Sequence, residues 1–290
     1  MVTSKIYIDA LLQIIIQNFG KIPQEEKLEI QSIMEEFYQR LKSHDLEIVD
    51  LIIFENSSLM QAYSRLQQDS IGVYSTGSET GFIASHEAWT GIPRILVCFE
   101  QLKKLEPIMK QAIIRHEAAH SVLHGSPEYY IFQIPRSLSK AAEIFNLTRE
   151  LLIEILYLVS IAVKDYEVTK LLTSYDYVED QIAYSSYFIK PGKDDLQAWK
   201  MSEGNFKKES LCLLSRLKDL TCFIAAHANQ KIDYSIIEKH LDYFPRIQSA
   251  TLYSIAKALT KMDNHDTFTK VELVTDLIVK RLMEQVFRSK

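Results

Sequence analysis

The chain has 290 residues, of which 47% are hydrophobic and 24% are charged, and its formal net charge is −5. These values are ordinary for a globular protein with one large core or two modest ones. The negative charge balance gives no support for a nucleic-acid-binding surface, so we expect no nucleic-acid partner. The three cysteines (Cys98, Cys212 and Cys222) form no CxxC pair, and their odd number argues against a secreted disulfide scaffold.

The amino terminus has an apolar run that resembles a signal peptide at first sight. Asp9, Gln13 and Gln17 interrupt this run at helical spacing, and no small-residue cleavage site follows it. We therefore predict an amphipathic first helix and a cytoplasmic location. A second helix is predicted from about Pro23, so that two helices fill about residues 5–42.

Strand character begins after these helices. Residues 46–54 are predicted as a strand, 59–68 as a short helix, and 71–75 as another strand, followed by a turn at 75–81. Residues 82–89 and 92–99 are predicted as two strands of a hairpin, because Thr90-Gly91 lies between them. His86 and Trp89 of this hairpin are open to two interpretations, packing on its face or lining a pocket, and packing is the more common role.

A helix is predicted over residues 107–125. Pro107 is suited to the first helical turn, where its missing N–H costs nothing, and Gly125-Ser126-Pro127 is a typical helix stop. This helix contains the sequence His116-Glu117-Ala118-Ala119-His120. Residues four apart lie on the same face of a helix, so both imidazoles can bind one metal ion. Glu117 then lies beside that ion, where a carboxylate can accept a proton from water.

This HExxH segment resembles the active-site helix of the zincin metallopeptidases, and the resemblance extends over about residues 81–125. It implies a catalytic zinc held by His116 and His120, with Glu117 as the general base. It also implies that one strand of the preceding hairpin binds an extended substrate by main-chain hydrogen bonds.

The resemblance does not extend to the metzincin pattern HExxHxxGxxH. Leu123 stands where that pattern has glycine, and Ser126 stands where it has the third histidine. His124 continues the row of histidines, but three successive helical turns do not easily reach one tetrahedral ion. We interpret His124 as a histidine behind the ligands or at the helix end, with a ligand role as the alternative.

In zincins with a carboxylate third ligand, that ligand comes from a later helix. Residues 151–163 are apolar on almost every side and are predicted as a buried helix that continues to Asp165 and Glu167. These two carboxylates lie about 200° apart around a helix, so both cannot face one ion. The helical neighbours of Asp165 are mostly apolar and those of Glu167 are mostly polar, which favours Asp165. Glu167 is the alternative because glutamate is the commoner carboxylate ligand, and Glu154 and Glu143 stay open as weaker candidates. Glu154 could also orient a histidine.

Beyond residue 125 the sequence predicts only helices, at 138–145, 147–173, 177–189, 196–201, 206–228, 234–241, 247–261 and 265–290. The predicted fold class is α+β and predominantly helical, with a zincin-like small sheet, an active-site helix and a helical C-terminal region. Residues 191–195 are the best candidate boundary. The predicted catalytic domain is then 1–190, with helices at 1–45, the sheet at 46–99 and the metal-site helices at 106–173. The helical C-terminal domain is 191–290.

The predicted function is zinc-dependent hydrolysis of peptide bonds through a zinc-activated water, with a peptide or protein as substrate and no membrane partner. A tyrosine of the middle region, His227 or His240 could stabilise the oxyanion. The first alternative is a catalytically silent zincin-fold module that binds or regulates a partner. The second is a helical interaction protein without a metal. No oligomeric state is predicted.

Overall fold

The computed structural model of the protein describes residues 12–41, 44–70, 82–228 and 234–284. The chain divides into two compact units, with the first ending at Tyr130 and the second beginning at Ile131. The predicted strand at 71–75 and the predicted turn at 75–81 lie outside the described residues, as does the end of the last predicted helix at 285–290.

The first unit contains a four-stranded mixed sheet. Its strands are β1 (Gln13–Phe19), β2 (Ile48–Phe54), β3 (Ala84–Glu87) and β4 (Arg94–Cys98), in the spatial order β1-β2-β4-β3. β2 is parallel to both β1 and β4, and β3 is antiparallel to β4. β2 and β4 are almost completely buried, as expected of central strands whose sequences are nearly continuous apolar runs. The predicted strand at 46–54 and the predicted hairpin are confirmed.

The predicted first helix is wrong over its described part, because Gln13–Phe19 is the edge strand β1. Gln13 and Gln17 are exposed, while Ile14 and Ile16 are partly buried. Polar residues four apart fit a strand of period two as well as a helix, so their spacing does not decide between them. The run Ile14-Ile15-Ile16 favours the strand, because β-branched side chains pack well on a pleated surface.

The described residues of this unit also form four α-helices, two between the strands and two after them along the chain. They are α1 (Gln24–Leu41), α2 (Ser57–Ser70), α3 (Phe99–Leu102) and α4 (Pro107–Leu123), and a short 3-10 helix, Pro127–Tyr130, follows α4. α4 packs against α1 and also contacts β3 and β4. The predicted helices at 59–68 and 107–125 correspond to α2 and α4.

The second unit is helical throughout its described residues. Its helices are α5 (Arg136–Phe145), α6 (Arg149–Ser174), α7 (Val178–Phe188), α8 (Lys193–Ser202), α9 (Phe206–Ser215), α10 (Leu217–Ala226), α11 (Tyr234–Leu241), α12 (Arg246–Ala258) and α13 (Thr267–Leu277). A 3-10 helix, Leu259–Lys261, follows α12, and a π-helical stretch, Ile278–Met283, follows α13. α6 is the central element, since α7, α9, α10 and α13 all pack on it.

The ends of α6 follow from local sequence. Asn146 takes the left-handed conformation (φ 49°) at the end of α5, and the hydroxyl of Thr148 accepts a hydrogen bond from the backbone N–H of Leu151 at the start of α6. The predicted break between these two helices is therefore confirmed.

The single helix predicted over 206–228 is two helices, because the chain breaks at Arg216. The Arg216 guanidinium donates to the carbonyl oxygens of Phe188 and Ile189 and lies 2.9 Å from Asp219. The predicted boundary at 191–195 falls inside the second unit, at the turn between α7 and α8.

Within the ranges described, no helix combines the length and the apolar character needed to cross a bilayer. Tertiary packing accounts for the apolar run of α6, because Ile155, Val159 and Ala162 are fully buried in the core of the second unit.

Candidate metal centre

α4 places His116 and His120 one above the other. Pro107 stands at the start of this helix, and regular helix continues from there to Leu123. His116 and His120 are 1% and 8% exposed, and their ring centroids are 5.0 Å apart. The helical spacing has therefore put both imidazoles on one buried face, as the sequence predicts.

A buried hydrogen bond fixes α4 against α1. The hydroxyls of Tyr38 and Ser121 are 2.8 Å apart, and Ser121 donates to the carbonyl oxygen of Ala118. Because the Ser121 proton is used in that bond, Tyr38 is the donor to Ser121. Burial raises the pKa of Tyr38 well above its usual range, so its hydroxyl stays protonated and able to donate.

The end of α4 is tightly built. The backbone N–H of His124 donates to the carbonyl oxygen of His120 at 2.7 Å. A Cβ at Gly125 would lie only 2.0 Å from the carbonyl oxygen of Ser121 and 3.0 Å from Pro93. A larger residue at this position would therefore require the neighbouring chain to shift.

His124 contacts His120 through its ring as well. The two Nδ1 atoms are 3.1 Å apart, so one ring donates a hydrogen bond to the other. His124 is itself buried and packs edge-on against Tyr129. Because Nδ1 of His120 takes part in this contact, His120 would bind a metal through Nε2. His124 thus lies at the helix end, directly behind one of the predicted ligands.

The hairpin brings His86 to the same histidines. The ring of His86 on β3 stacks on that of His120, with centroids 5.7 Å apart and an angle of 10° between the rings. Tyr130 connects this strand to the chain beyond α4: its hydroxyl accepts the backbone N–H of Ala88 at 2.8 Å and lies 3.4 Å from Nδ1 of His86. β3 is an edge of the described sheet.

Trp89 has a different role from His86. Its indole N–H donates to Glu87, and the guanidinium of Arg94 lies 5.3 Å from the centre of its ring. Arg94 is also ion-paired with Glu87. Trp89 therefore packs on the hairpin face, which is the more common of the two interpretations of this residue.

Asp165 and Glu167 lie on different faces of α6. Asp165 is 6% exposed and shares its face with Ala162, Val168 and Thr169, all completely buried. The carboxylate of Glu167 instead pairs with Lys270 and accepts a hydrogen bond from the hydroxyl of Thr267 on α13. The carboxylate of Glu167 is therefore already held by a cation.

The surroundings of Asp165 are buried and carry other titratable groups. Burial raises the pKa of Asp219 and of Cys222 on α10, and the charge of Asp165 raises both further. Burial lowers the pKa of Lys164, while Asp165 and Glu167 oppose that change. Asp219 has the guanidinium of Arg216 as its partner at 2.9 Å.

The weaker carboxylate candidates are both exposed. Glu154 and Glu143 lie on solvent-facing positions of α6 and α5. The suggestion that Glu154 orients a buried histidine is therefore not supported, although it shares a helical stripe with Asp165.

Three side chains are brought together as a group that could hold a metal ion. The ligand atoms of His116, His120 and Asp165 all lie within 4.8 Å of one another, and all three residues are buried. Two imidazoles and one carboxylate are a donor set that suits zinc, and three protein ligands leave a fourth position open. Among the residues that the structure describes, this is the only such group of histidine, cysteine and acidic side chains.

Glu117 follows the first of these histidines on α4 and is 9% exposed. Because Glu117 is next to His116 on α4, the packing that holds His116 in place also holds the backbone of Glu117 in place. Glu117 does not belong to the group of possible ligands.

The contacts of His86 and Tyr130 were not specified by the sequence analysis. His86 is 34 positions before His120, and 44 positions separate it from Tyr130. No local spacing relates residues so far apart, so the sequence carries no signal for these contacts. His227, one of the candidates for oxyanion stabilisation, packs on Phe223 at the end of α10.

Comparison with known proteins yields no match to a family model, to a curated protein or to a solved structure.

Proposed function

We propose that this protein is a zinc-dependent peptidase whose metal is held by His116, His120 and Asp165. The observation that carries the proposal is the coincidence of two features. The HExxH sequence lies on a buried helix, and the carboxylate chosen from helical periodicity belongs to the same group of possible ligands. An ordinary packing helix does not require either feature.

The buried donor set fits zinc on chemical grounds. Imidazoles and carboxylates are preferred zinc ligands, and a buried carboxylate such as Asp165 is stabilised by a cation. Zinc bound there would lower the pKa of a coordinated water toward ~7 and polarise the carbonyl that is attacked.

Glu117 supplies the acid–base chemistry. Its carboxylate accepts the proton of the attacking water and delivers it to the leaving amine.

The edge strand β3 supplies a place for an extended substrate. Its outer edge is not paired with any other described strand, and His86 on this strand stacks on His120. A peptide that adds to this edge by main-chain hydrogen bonds would run past the metal ligands. We therefore propose an unfolded or extended polypeptide as the substrate.

Replacement of Glu117 by glutamine tests the catalytic role. The zinc-loaded wild type is compared with Glu117→Gln on a fluorescently labelled unfolded protein, with zinc content measured on the same samples. We expect the variant to keep its zinc and to lose roughly 10²–10⁴-fold in turnover, because it has lost the base and not a ligand.

The matched control is Glu106→Gln, which makes the same change at an exposed position at the other end of α4. Its turnover should equal that of the wild type. Equal turnover in the wild type and Glu117→Gln would rule out Glu117 as the base. A zinc-loaded wild type that cleaves no polypeptide would favour the silent binding module instead.

A further inference from the structure

The second unit contains a pocket of about 390 Å³ that the proposed peptidase chemistry does not use. Its wall comes from the end of α8, the start of α9 and the α11–α12 turn. The side chains that matter for its chemistry are Trp199, Glu203, Glu209, Tyr243, Phe244 and Gln248.

One part of the wall is aromatic. Trp199 packs edge-on against Phe244 with ring centroids 4.8 Å apart, and Phe244 packs against Tyr243 at 4.1 Å. Trp199 and Phe244 are buried, so their positions are fixed by the core. Aromatic ring faces attract cations because of their quadrupole.

The remaining wall carries hydrogen-bond acceptors. Glu203 is exposed and Glu209 is buried, with the backbone N–H of Gly204 donating to one of its oxygens. Gln248 is only 9% exposed, and its side-chain oxygen has no hydrogen-bond partner among the described residues. A buried amide oxygen without a donor is unfavourable, so this oxygen is suited to receive an N–H or a polarised C–H from a ligand.

We propose that this pocket binds an organic cation with an alkylammonium group. Two carboxylates supply negative charge, an unsatisfied amide oxygen supplies a hydrogen-bond acceptor, and the aromatic rings supply a surface for the alkyl part. None of the lining residues is basic. A bare divalent metal fits less well, because these side chains do not form a group of possible metal ligands in the part of the chain that the structure describes.

The same alkylammonium chemistry can come from a small free molecule or from a lysine side chain of a peptide. Choline serves as the first probe and Nα-acetyl-lysine N-methylamide as the second. The control ligand is 3,3-dimethylbutan-1-ol, which has the shape of choline without its charge. All three are titrated into the full-length protein.

The readout is the indole N–H signal of Trp199 in protein labelled with ¹⁵N-tryptophan. The chain has two tryptophans, so a Trp89→Phe variant identifies the signal. We expect a saturable shift with at least one cation, and ~10-fold weaker binding of the neutral alcohol. Tighter binding of choline assigns a free ammonium compound, and tighter binding of the lysine derivative assigns a peptide side chain.

Substitution identifies the charge that is responsible. Glu203→Gln should weaken cation binding by ~3–10-fold, because it removes one of the two carboxylate charges that line the pocket, at an exposed position. Glu272→Gln makes the same change at an exposed position on α13 outside the pocket and should leave the affinity unchanged. A neutral alcohol that binds as tightly as the tighter-binding of the two cations, or no saturable shift of Trp199 with either cation, would overturn the proposal.

Discussion

At the residue scale, His124 makes a ring-to-ring hydrogen bond with His120, a contact that a residue serving only for packing does not need. Its Nδ1 lies 3.1 Å from Nδ1 of His120, which is one of the proposed metal ligands. Partners of this kind fix the tautomer and orientation of a ligating imidazole, and their loss typically costs 10–100-fold in metal affinity.

We therefore expect His124→Ala to weaken zinc binding by ~10–100-fold, as measured by competition with a chelator. His124→Gln keeps a polar group at this position and should recover part of the affinity. Unchanged zinc affinity in His124→Ala, even with a lower Tm of the metal-free protein, would mean that His124 serves only for packing.

The sequence predicts contacts of the site between residues that are close along the chain, and does not predict those between distant residues. His116, Glu117 and His120 follow from the spacing within one helix, and Asp165 is favoured over Glu167 by its apolar helical neighbours. The pairing of Glu167 with Lys270 involves residues 103 positions apart, so the sequence indicates only that Glu167 lies on a polar face. The stacking of His86 on His120 is equally remote from any local pattern.

At the element scale, α6 carries the carboxylates of Asp165 and Glu167 on different faces. Glu167→Gln would leave the buried ammonium of Lys270 without its counter-charge, and we expect a loss of up to about 3–5 kcal/mol in the free energy of unfolding. Zinc stoichiometry should be unchanged, because Glu167 does not belong to the group of possible ligands. Chemical denaturation and elemental analysis measure the two effects separately.

The matched control is Glu154→Gln, at an exposed position on the same helix. Its stability should stay within about 0.5 kcal/mol of the wild type, and its zinc content should be unchanged. Loss of zinc in a folded Glu167→Gln protein would instead identify Glu167 as the third ligand.

The end of α4 depends on one glycine. Gly125→Ala would place a Cβ within 2.0 Å of the Ser121 carbonyl oxygen, so the helix end that carries His120 and His124 must shift. We expect a loss of about 1–3 kcal/mol in stability by denaturation. Gly192→Ala is the control, since its Cβ would approach nothing closer than 3.4 Å. Equal stability of the two variants would contradict the steric argument.

The sequence predicts helix or strand correctly where the spacing of apolar residues and the residue types indicate the same kind of element. α4 and α6 have long helical patterns with clear ends, and β2 is an apolar run that only Asp50 interrupts. The segment 13–17 is ambiguous, because polar residues four apart satisfy both a helix and a strand, and pairing of β1 with β2 decides between them. The break at Arg216 is set by side-chain hydrogen bonds to carbonyls 27 and 28 positions earlier, which no local pattern encodes.

At the scale of the whole molecule, the predicted coarse fold class, α+β and predominantly helical, is confirmed. The described chain is mostly helical and has a small mixed sheet. The division between units is harder to predict. The Pro191-Gly192 pair is typical of a boundary, but here it forms only a turn between two helices of one unit. Packing of α7 and α9 on α6 determines that outcome.

The central claim is that the chain holds one zinc through His116, His120 and Asp165. The direct test is elemental analysis of the wild type, His120→Ala and Asp165→Asn after dialysis, with Asp176→Asn as a control at an exposed residue just beyond α6. The account predicts about one zinc per chain in the wild type and the control, and loss of zinc in the other two. The absence of zinc from a wild type supplied with it, or its retention in both ligand variants, would contradict the account.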